Sequence, residues 1–297
     1  ETGRGQALME YRRLTGEIDF SGKGLHTGED CRVTLSPGCP GEGVTVDTGR
    51  GLFPLDAFTF SGAGRGTEVF LPGGQSVKTP EHLFAALYGL GIWSVRISAE
   101  GPEVPVLDGC SATFAEALLA GSRPISEGEE QPEPFALSTP LVVEDAGRNS
   151  LVFAFPSGEL SLSYIITYEG TPIGTQAADF LLSQENFLSL LAPSRTFALA
   201  SEVRSLLDRG LAKGGSPENA VVVEEKSVSA AGGLRFPDEF VRHKILDLLG
   251  DLYLLGRPLR ARVVALRAGH DLHCRLAERL LFLSATRHSR KKETNHV

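Results

Sequence analysis

The run Glu239-Phe240-Val241-Arg242-His243-Lys244-Ile245-Leu246-Asp247-Leu248-Leu249-Gly250-Asp251 sets a histidine and two aspartates four residues apart. On an α-helix those side chains form one stripe. Val241, Ile245, Leu248, Leu249 and Leu252 fill the other faces, so the helix reads as buried, and ionisable groups on a buried helix need partners. A metal ion satisfies imidazole and carboxylate together. A core histidine bonded to a neighbouring acid does so too, and this helix alone supports both readings equally. Glu81 and His82 form a second pair in the first turn of another apolar helix. Neighbours on a helix diverge by about 100°, so one of the two could bind a metal while the other reaches the metal's water. A first-turn acid beside a packed histidine is the plainer alternative. A third group, Arg267-Ala268-Gly269-His270-Asp271-Leu272-His273, follows a strand-like run. His270 could act as a general acid if a carboxylate such as Asp251 held its ring, or His270 and His273 could simply occupy a loop. Pro193-Ser194-Arg195-Thr196-Phe197 offers hydroxyls for a developing oxyanion, a job weighed against ordinary turn capping.

The elements around these residues are mixed. Before residue 121, β-like runs at residues 31–35, 43–47 and 95–99 surround a helix opening at Thr79-Pro80, with Thr79 suited to the N-cap and Pro80 to the first turn. Later come strands at 141–144, 151–155 and 160–167, a helix over 201–208, a strand at 220–224, the stripe helix, a strand at 260–267 and a terminal helix. Strands and helices without regular βαβ alternation indicate α+β layers. The Pro-, Gly- and acid-rich stretch at 123–136 reads as a linker between an N-terminal domain, 9–122, and a C-terminal domain, 137–287. Residues 1–8 precede the only methionine and read as upstream sequence; 288–297 read as a basic, solvated tail. The two halves echo each other, since Glu81-His82 and Arg242-His243 each sit near the start of an apolar helix followed by glycines. If the halves are repeats, both histidines can face one interdomain cleft.

With 297 residues and a net charge of −8, the chain has the composition of an ordinary globular protein and the wrong charge for a general nucleic-acid binder. It has no apolar run long enough to span a bilayer and no export signal, so a cytoplasmic protein is expected. Cys31, Cys39, Cys110 and Cys274 lie far apart without a CxxC pair, which suits free thiols in a reducing compartment. The glycine-rich runs 22–28 and 210–216 fit neither the dinucleotide nor the Walker pattern, so neither NAD nor ATP is inferred.

Taken in order, Gly24-Leu25-His26-Thr27-Gly28, Glu81-His82-Leu83, Pro105-Val106-Leu107-Asp108-Gly109, Ser194-Arg195-Thr196-Phe197, Gly214-Gly215-Ser216, Phe240-Val241-Arg242-His243-Lys244 to Asp251, and Gly269-His270 resemble the UDP-3-O-acyl-N-acetylglucosamine deacetylases, zinc amidases at the committed step of lipid A biosynthesis. The resemblance spans roughly residues 10–285. It implies two similar sheet-plus-helix domains, each with a small insert, and an active site between them. It makes His82, His243 and Asp247 the zinc ligands, with Fe2+ as the other metal that such ligands accept. Glu81 becomes the general base, Thr196 an oxyanion donor, and His270, oriented by Asp251, the general acid. Lys244 and His26 would meet the substrate diphosphate, Phe197 would pack on the sugar, and Gly215 and Ser216 would complete the binding loop. A second insert near 198–223 would form the passage for the acyl chain, with residues 201–207 as its helix. The implied partner is the sugar nucleotide, without nucleic acid or an integral membrane segment, and the expected state is a monomer. The chain departs from the usual pattern at Pro80, Trp93-Ser94, Cys110, Lys213 and residues 61–70, none of them an implied ligand. An amidase for a different acylated sugar and a non-catalytic metal-bridged relative are the competing expectations.

Overall fold

The computed structural model describes residues 9–294, with side chains through residue 286. The expected upstream segment 1–8 and residues 295–297 lie outside the described residues. The expected tail begins as helix, because the terminal helix continues through Thr294.

Six helices carry the labels used below: α1 Glu81–Gly89, α2 Ala112–Ala120, α3 Gln184–Asn186, α4 Ala200–Asp208, α5 Glu239–Leu252 and α6 His270–Thr294. The N-terminal half is built on a five-stranded sheet ordered Ile18–Lys23, Asp30–Pro37, Val95–Glu100, Val44–Asp47 and Leu52–Pro54. The C-terminal half repeats that path with Leu141–Asp145, Ser150–Pro156, Leu259–Leu266, Ser161–Tyr168 and Gly174–Leu181. In both, two antiparallel hairpins flank a fifth strand that arrives last in sequence and runs parallel to the third. Period-two burial selects the inner faces: Cys31, Val33 and Leu35 point inward from one sheet, and Leu259, Ala261, Val263 and Ala265 from the other.

The helix preceding each fifth strand, α1 in one half and α5 in the other, is sandwiched between the sheets, and the two pack against each other. Every residue of α1 is buried. The approach is close because of Gly250: a Cβ there would lie 2.0 Å from the Glu81 carbonyl oxygen. Tyr253 seals the far end, stacking on Trp93 at 4.6 Å and donating its hydroxyl to the Ile92 carbonyl.

Each half also inserts a small sheet ahead of its central helix. The first pairs Thr59–Ser61, Glu68–Leu71 and Gln75–Lys78; the second pairs Phe197–Leu199, Val221–Val223 and Val228–Ser229 and carries α4. Two local expectations change. Thr79 does not cap α1 with its side chain: it has φ +54°, and its N–H donates to the Thr67 carbonyl, so Pro80 takes the capping position. The ends of the 123–136 stretch are strand, Ser122–Pro124 pairing with Arg12–Leu14 and Phe135–Ala136 with Leu259–Arg260, which ties that stretch to both halves.

Candidate metal centre

The crossing of α1 and α5 brings His82, His243 and Asp247 together, with ligand atoms within 4.8 Å of one another. Asp247 Oδ1 lies 3.2 Å from His243 Nε2 and 3.7 Å from His82 Nε2. All three are buried. The Nδ1–H of His243 donates to the Ser194 carbonyl at 3.0 Å, which fixes the tautomer and leaves the Nε2 lone pair directed at the cluster. Burial holds the His243 imidazole down at about 4, with Asp247 opposing, so the ring is neutral at physiological pH. Burial works against ionisation of Asp247 too, but His243, Lys244 and His270 outweigh it and keep the carboxyl well below the usual range. With His243 neutral and Asp247 ionised, two imidazoles and one carboxylate converge in a set that fits a divalent metal and leaves a coordination position for water or substrate.

On one flank of this cluster lies Glu81, whose pKa burial pushes up. On the same flank stands His270, the first residue of α6, with Nε2 3.8 Å from Glu81 Oε1 and 3.6 Å from Asp247 Oδ2. Burial opposes its charge, yet Asp251, Glu81 and Asp247 raise His270 to about 9. Asp251 receives the Nδ1–H of His270 at 2.8 Å, and despite burial the imidazoles of His270 and His273 hold it at about 2. The loop alternative for His270 and His273 is therefore not realised: both are buried in the first turn of α6.

A cavity of about 1040 Å³ opens from this centre between the inserts. It is lined by Glu81, His82, His243, Lys244, Asp247, His270, Thr196, Phe197, His26, Gly215 and Ser216. Of the site residues expected from the sequence, Asp251 alone stands behind the cavity wall. Phe197 packs edge-on against Phe240 and lies 6.3 Å from the His243 ring. Lys244 Nζ is 2.7 Å from Asp247 Oδ2. His26 has Nδ1 accepting from the Ala212 N–H at 3.4 Å and a buried Nε2 without a protein partner. Leu199, Val203 and Leu206, around α4, line the cavity beside these groups, whereas the Lys213 side chain is not part of the lining.

The LpxC family model, UDP-3-O-acyl N-acetylglycosamine deacetylase, matches residues 11–282. The chain belongs to this family. The UDP-3-O-acyl-N-acetylglucosamine deacetylase of Synechocystis sp. is 42% identical over 275 residues, covering 90% of this chain and 97% of that protein. Enzymes of the same name from Chlamydia trachomatis serovar L2 and Chlamydia muridarum are 38% and 39% identical, each over 91% of this chain and 94% of their own length. Family members are metal-dependent, in keeping with the ligand group on α1 and α5.

Sequence reasoning passed over Thr67 and Tyr164. Thr67 Oγ1–H donates to Asp251 Oδ1 at 2.5 Å, and Tyr164 OH lies 3.0 Å from His273 Nε2. His273 carried a signal, because its spacing of three from His270 puts both rings on one helix face. A single threonine in a glycine-rich insert carried none. Arg65 and Glu202 also line the cavity and form a 2.9 Å ion pair joining the first insert to α4.

Proposed function

We propose that the protein hydrolyses the acetamide of UDP-3-O-acyl-N-acetylglucosamine, giving UDP-3-O-acyl-glucosamine and acetate, and that the centre on α1, α5 and α6 does the chemistry. The observation carrying this reading is the placement of a buried carboxylate, Glu81, and a buried imidazole, His270, on the same flank of a three-ligand metal group. An amide is a poor electrophile with a poor leaving group. Its hydrolysis needs an activated water and an acid for the departing amine.

His82, His243 and Asp247 would hold the metal, zinc by family and also compatible with iron(II) by ligand type. When bound, such an ion polarises the carbonyl and acidifies water. Glu81 takes the proton from the attacking water; its raised affinity for protons suits a base working near neutrality. His270, charged and held by Asp251, presents Nε2–H to the amide nitrogen and gives up that proton as the C–N bond breaks. Thr196, lining the cavity immediately before the strand Phe197–Leu199, supplies an oxyanion donor. Lys244 spends one of its three N–H donors on Asp247, and the remaining two, with the unpartnered His26 Nε2–H, are available for the diphosphate. Phe197, Gly215 and Ser216 border the sugar, and Leu199, Val203 and Leu206 receive the acyl chain.

The repeated sheet topology supports a division into domains 9–122 and 137–287 about a 123–136 connection. Every group named comes from one chain, which supports a monomer as the working unit. A sugar-nucleotide substrate would support a cytoplasmic site of reaction; no helix among the described residues is long and apolar enough to cross a membrane. The test is acetate release by metal-loaded protein. Wild type turns the substrate over and Glu81→Gln loses about 10²–10⁴-fold in kcat with metal content unchanged. A folded, metal-loaded wild type that leaves the substrate intact would overturn the reading.

A further inference from the structure

Asp251 is the most heavily engaged carboxylate of the centre, and two of its three partners have no part in the chemistry described above. Its Oδ1 accepts from Thr67 Oγ1–H at 2.5 Å, while Oδ2 accepts from the Nδ1–H groups of both His270 and His273 at 2.8 Å. Because His273 donates through Nδ1, its Nε2 is an acceptor, filled by the buried Tyr164 hydroxyl at 3.0 Å. Thr67 has further contacts: its Oγ1 also lies 3.4 Å from His270 Nδ1 and 3.7 Å from Cys274 Sγ, and its backbone N–H donates to Glu81 Oε2 at 3.3 Å. One residue of the first insert thus touches the carboxylate of α1 and the carboxylate of α5, and it sits within the segment 61–70 where this chain departs from the family pattern.

We propose that Thr67 and His273 are positioning residues that lock the Asp251 carboxylate from both sides and thereby aim His270 Nε2 at the leaving amine. The inference rests on the deacetylase reading. The geometry requires such a lock. A carboxylate with a single partner can rotate about its Cβ–Cγ bond, and a buried carboxylate that loses a donor seeks another one. With Oδ1 fixed by Thr67 and Oδ2 shared with His273, the orientation left for the His270 ring is the one that points Nε2 toward Glu81 and Asp247. Neither Thr67 nor His273 contacts the metal ligands in this arrangement. Their loss should therefore act on proton delivery while metal binding persists.

The experiment uses the full chain loaded with zinc and compares Thr67→Val with Thr67→Ser, and His273→Leu with His273→Asn. Kcat and KM for acetate release from UDP-3-O-acyl-N-acetylglucosamine are measured beside metal content, and the His270 Nδ1–H proton is followed by NMR in metal-free protein. Val and Leu keep shape but delete the donor; Ser and Asn restore one. The expected result is a kcat loss of about 10-fold in Thr67→Val and His273→Leu with KM and metal content unchanged, near-recovery in the Ser and Asn variants, and no further loss when Thr67→Val is added to His270→Ala. The His270 Nδ1–H signal should shift or broaden in Val and Leu and return in Ser and Asn. Unchanged kcat in Val and Leu, equal losses in Val and Ser, or full additivity with His270→Ala would overturn the proposal. If wild type itself fails to release acetate, the functional reading falls, and the NMR arm still decides whether Thr67 and His273 hold the Asp251–His270 pair.

Discussion

At the residue scale, the centre separates its two proton-handling groups by environment. Burial raises the proton affinity of Glu81, whereas three carboxylates overcome burial to keep His270 charged up to about 9. On the proposed mechanism turnover requires Glu81 ionised and His270 protonated, so kcat/KM should rise with pH through the raised Glu81 value and fall as pH climbs through about 9. His270→Gln should lower the plateau and abolish the alkaline limb; a limb that survives in that variant would assign it to another group. The same pair bears on stability. A histidine whose folded pKa is raised to about 9 from an ordinary 6.5 stabilises fully below the lower value and loses that contribution as pH rises through the higher one. Denaturation midpoints of wild type and His270→Gln should therefore converge between neutrality and pH ~9. Much of this chemistry was legible in the sequence, because spacing of four on a helix fixes a shared face for His243, Asp247 and Asp251. Thr67 was not, since its role depends on an insert folding back across the α1–α5 crossing, and no local pattern encodes that contact.

At the element scale, the site exists because α1 and α5 approach more closely than ordinary side chains allow. Gly250→Ala would place a Cβ 2.0 Å from the Glu81 carbonyl oxygen, a backbone atom that cannot swing aside. The helices must then separate, and we expect a destabilisation of at least about 1–3 kcal/mol by chemical denaturation, with weakened metal binding as His82 withdraws. Stability unchanged by the alanine would show that the crossing tolerates the methyl group. The segment leading to Thr196 is held differently. Arg195, almost wholly buried, pairs with Glu239 at 2.9 Å and donates to the carbonyls of Ala231 and Gly233. Arg195→Met leaves the buried Glu239 carboxylate without its cationic partner, retaining only backbone N–H donors from residues 195 and 235, and should cost about 3–5 kcal/mol, whereas adding Glu239→Leu should recover part of the loss. Helices α1, α4, α5 and α6 and the central strands followed from periodicity in the sequence, whereas α2 and the strands Ile18–Lys23 and Gly174–Leu181 did not. The N-terminus of α1 did not, because Thr79 adopts a left-handed conformation to bond Thr67, and that tertiary bond overrides its capping preference.

At the scale of the whole molecule, two halves with one topology meet at a candidate ligand group drawn from both: His82 from the N-terminal half, His243 and Asp247 from the C-terminal half. The shared plan was faint in the sequence, as paired Glu-His and Arg-His openings on apolar helices, because a repeated sheet path constrains burial pattern far more than residue identity. A metal bridging the halves must stabilise their association as well as the chemistry. Binding to the folded state alone adds RT ln(1 + [L]/Kd), about 2.7 kcal/mol at a hundredfold excess over Kd, equivalent to roughly 5 °C or more in Tm for a chain of this size. Chelation should lower Tm by that order, and zinc should restore it. The decisive comparison is His82→Ala, which removes the one ligand contributed by the N-terminal half and leaves His243 and Asp247 in place. If the metal bridges the halves, this variant loses most of the zinc-dependent rise in Tm even when zinc is in excess. A rise preserved in His82→Ala would mean that α5 and its neighbours hold the ion without the N-terminal half.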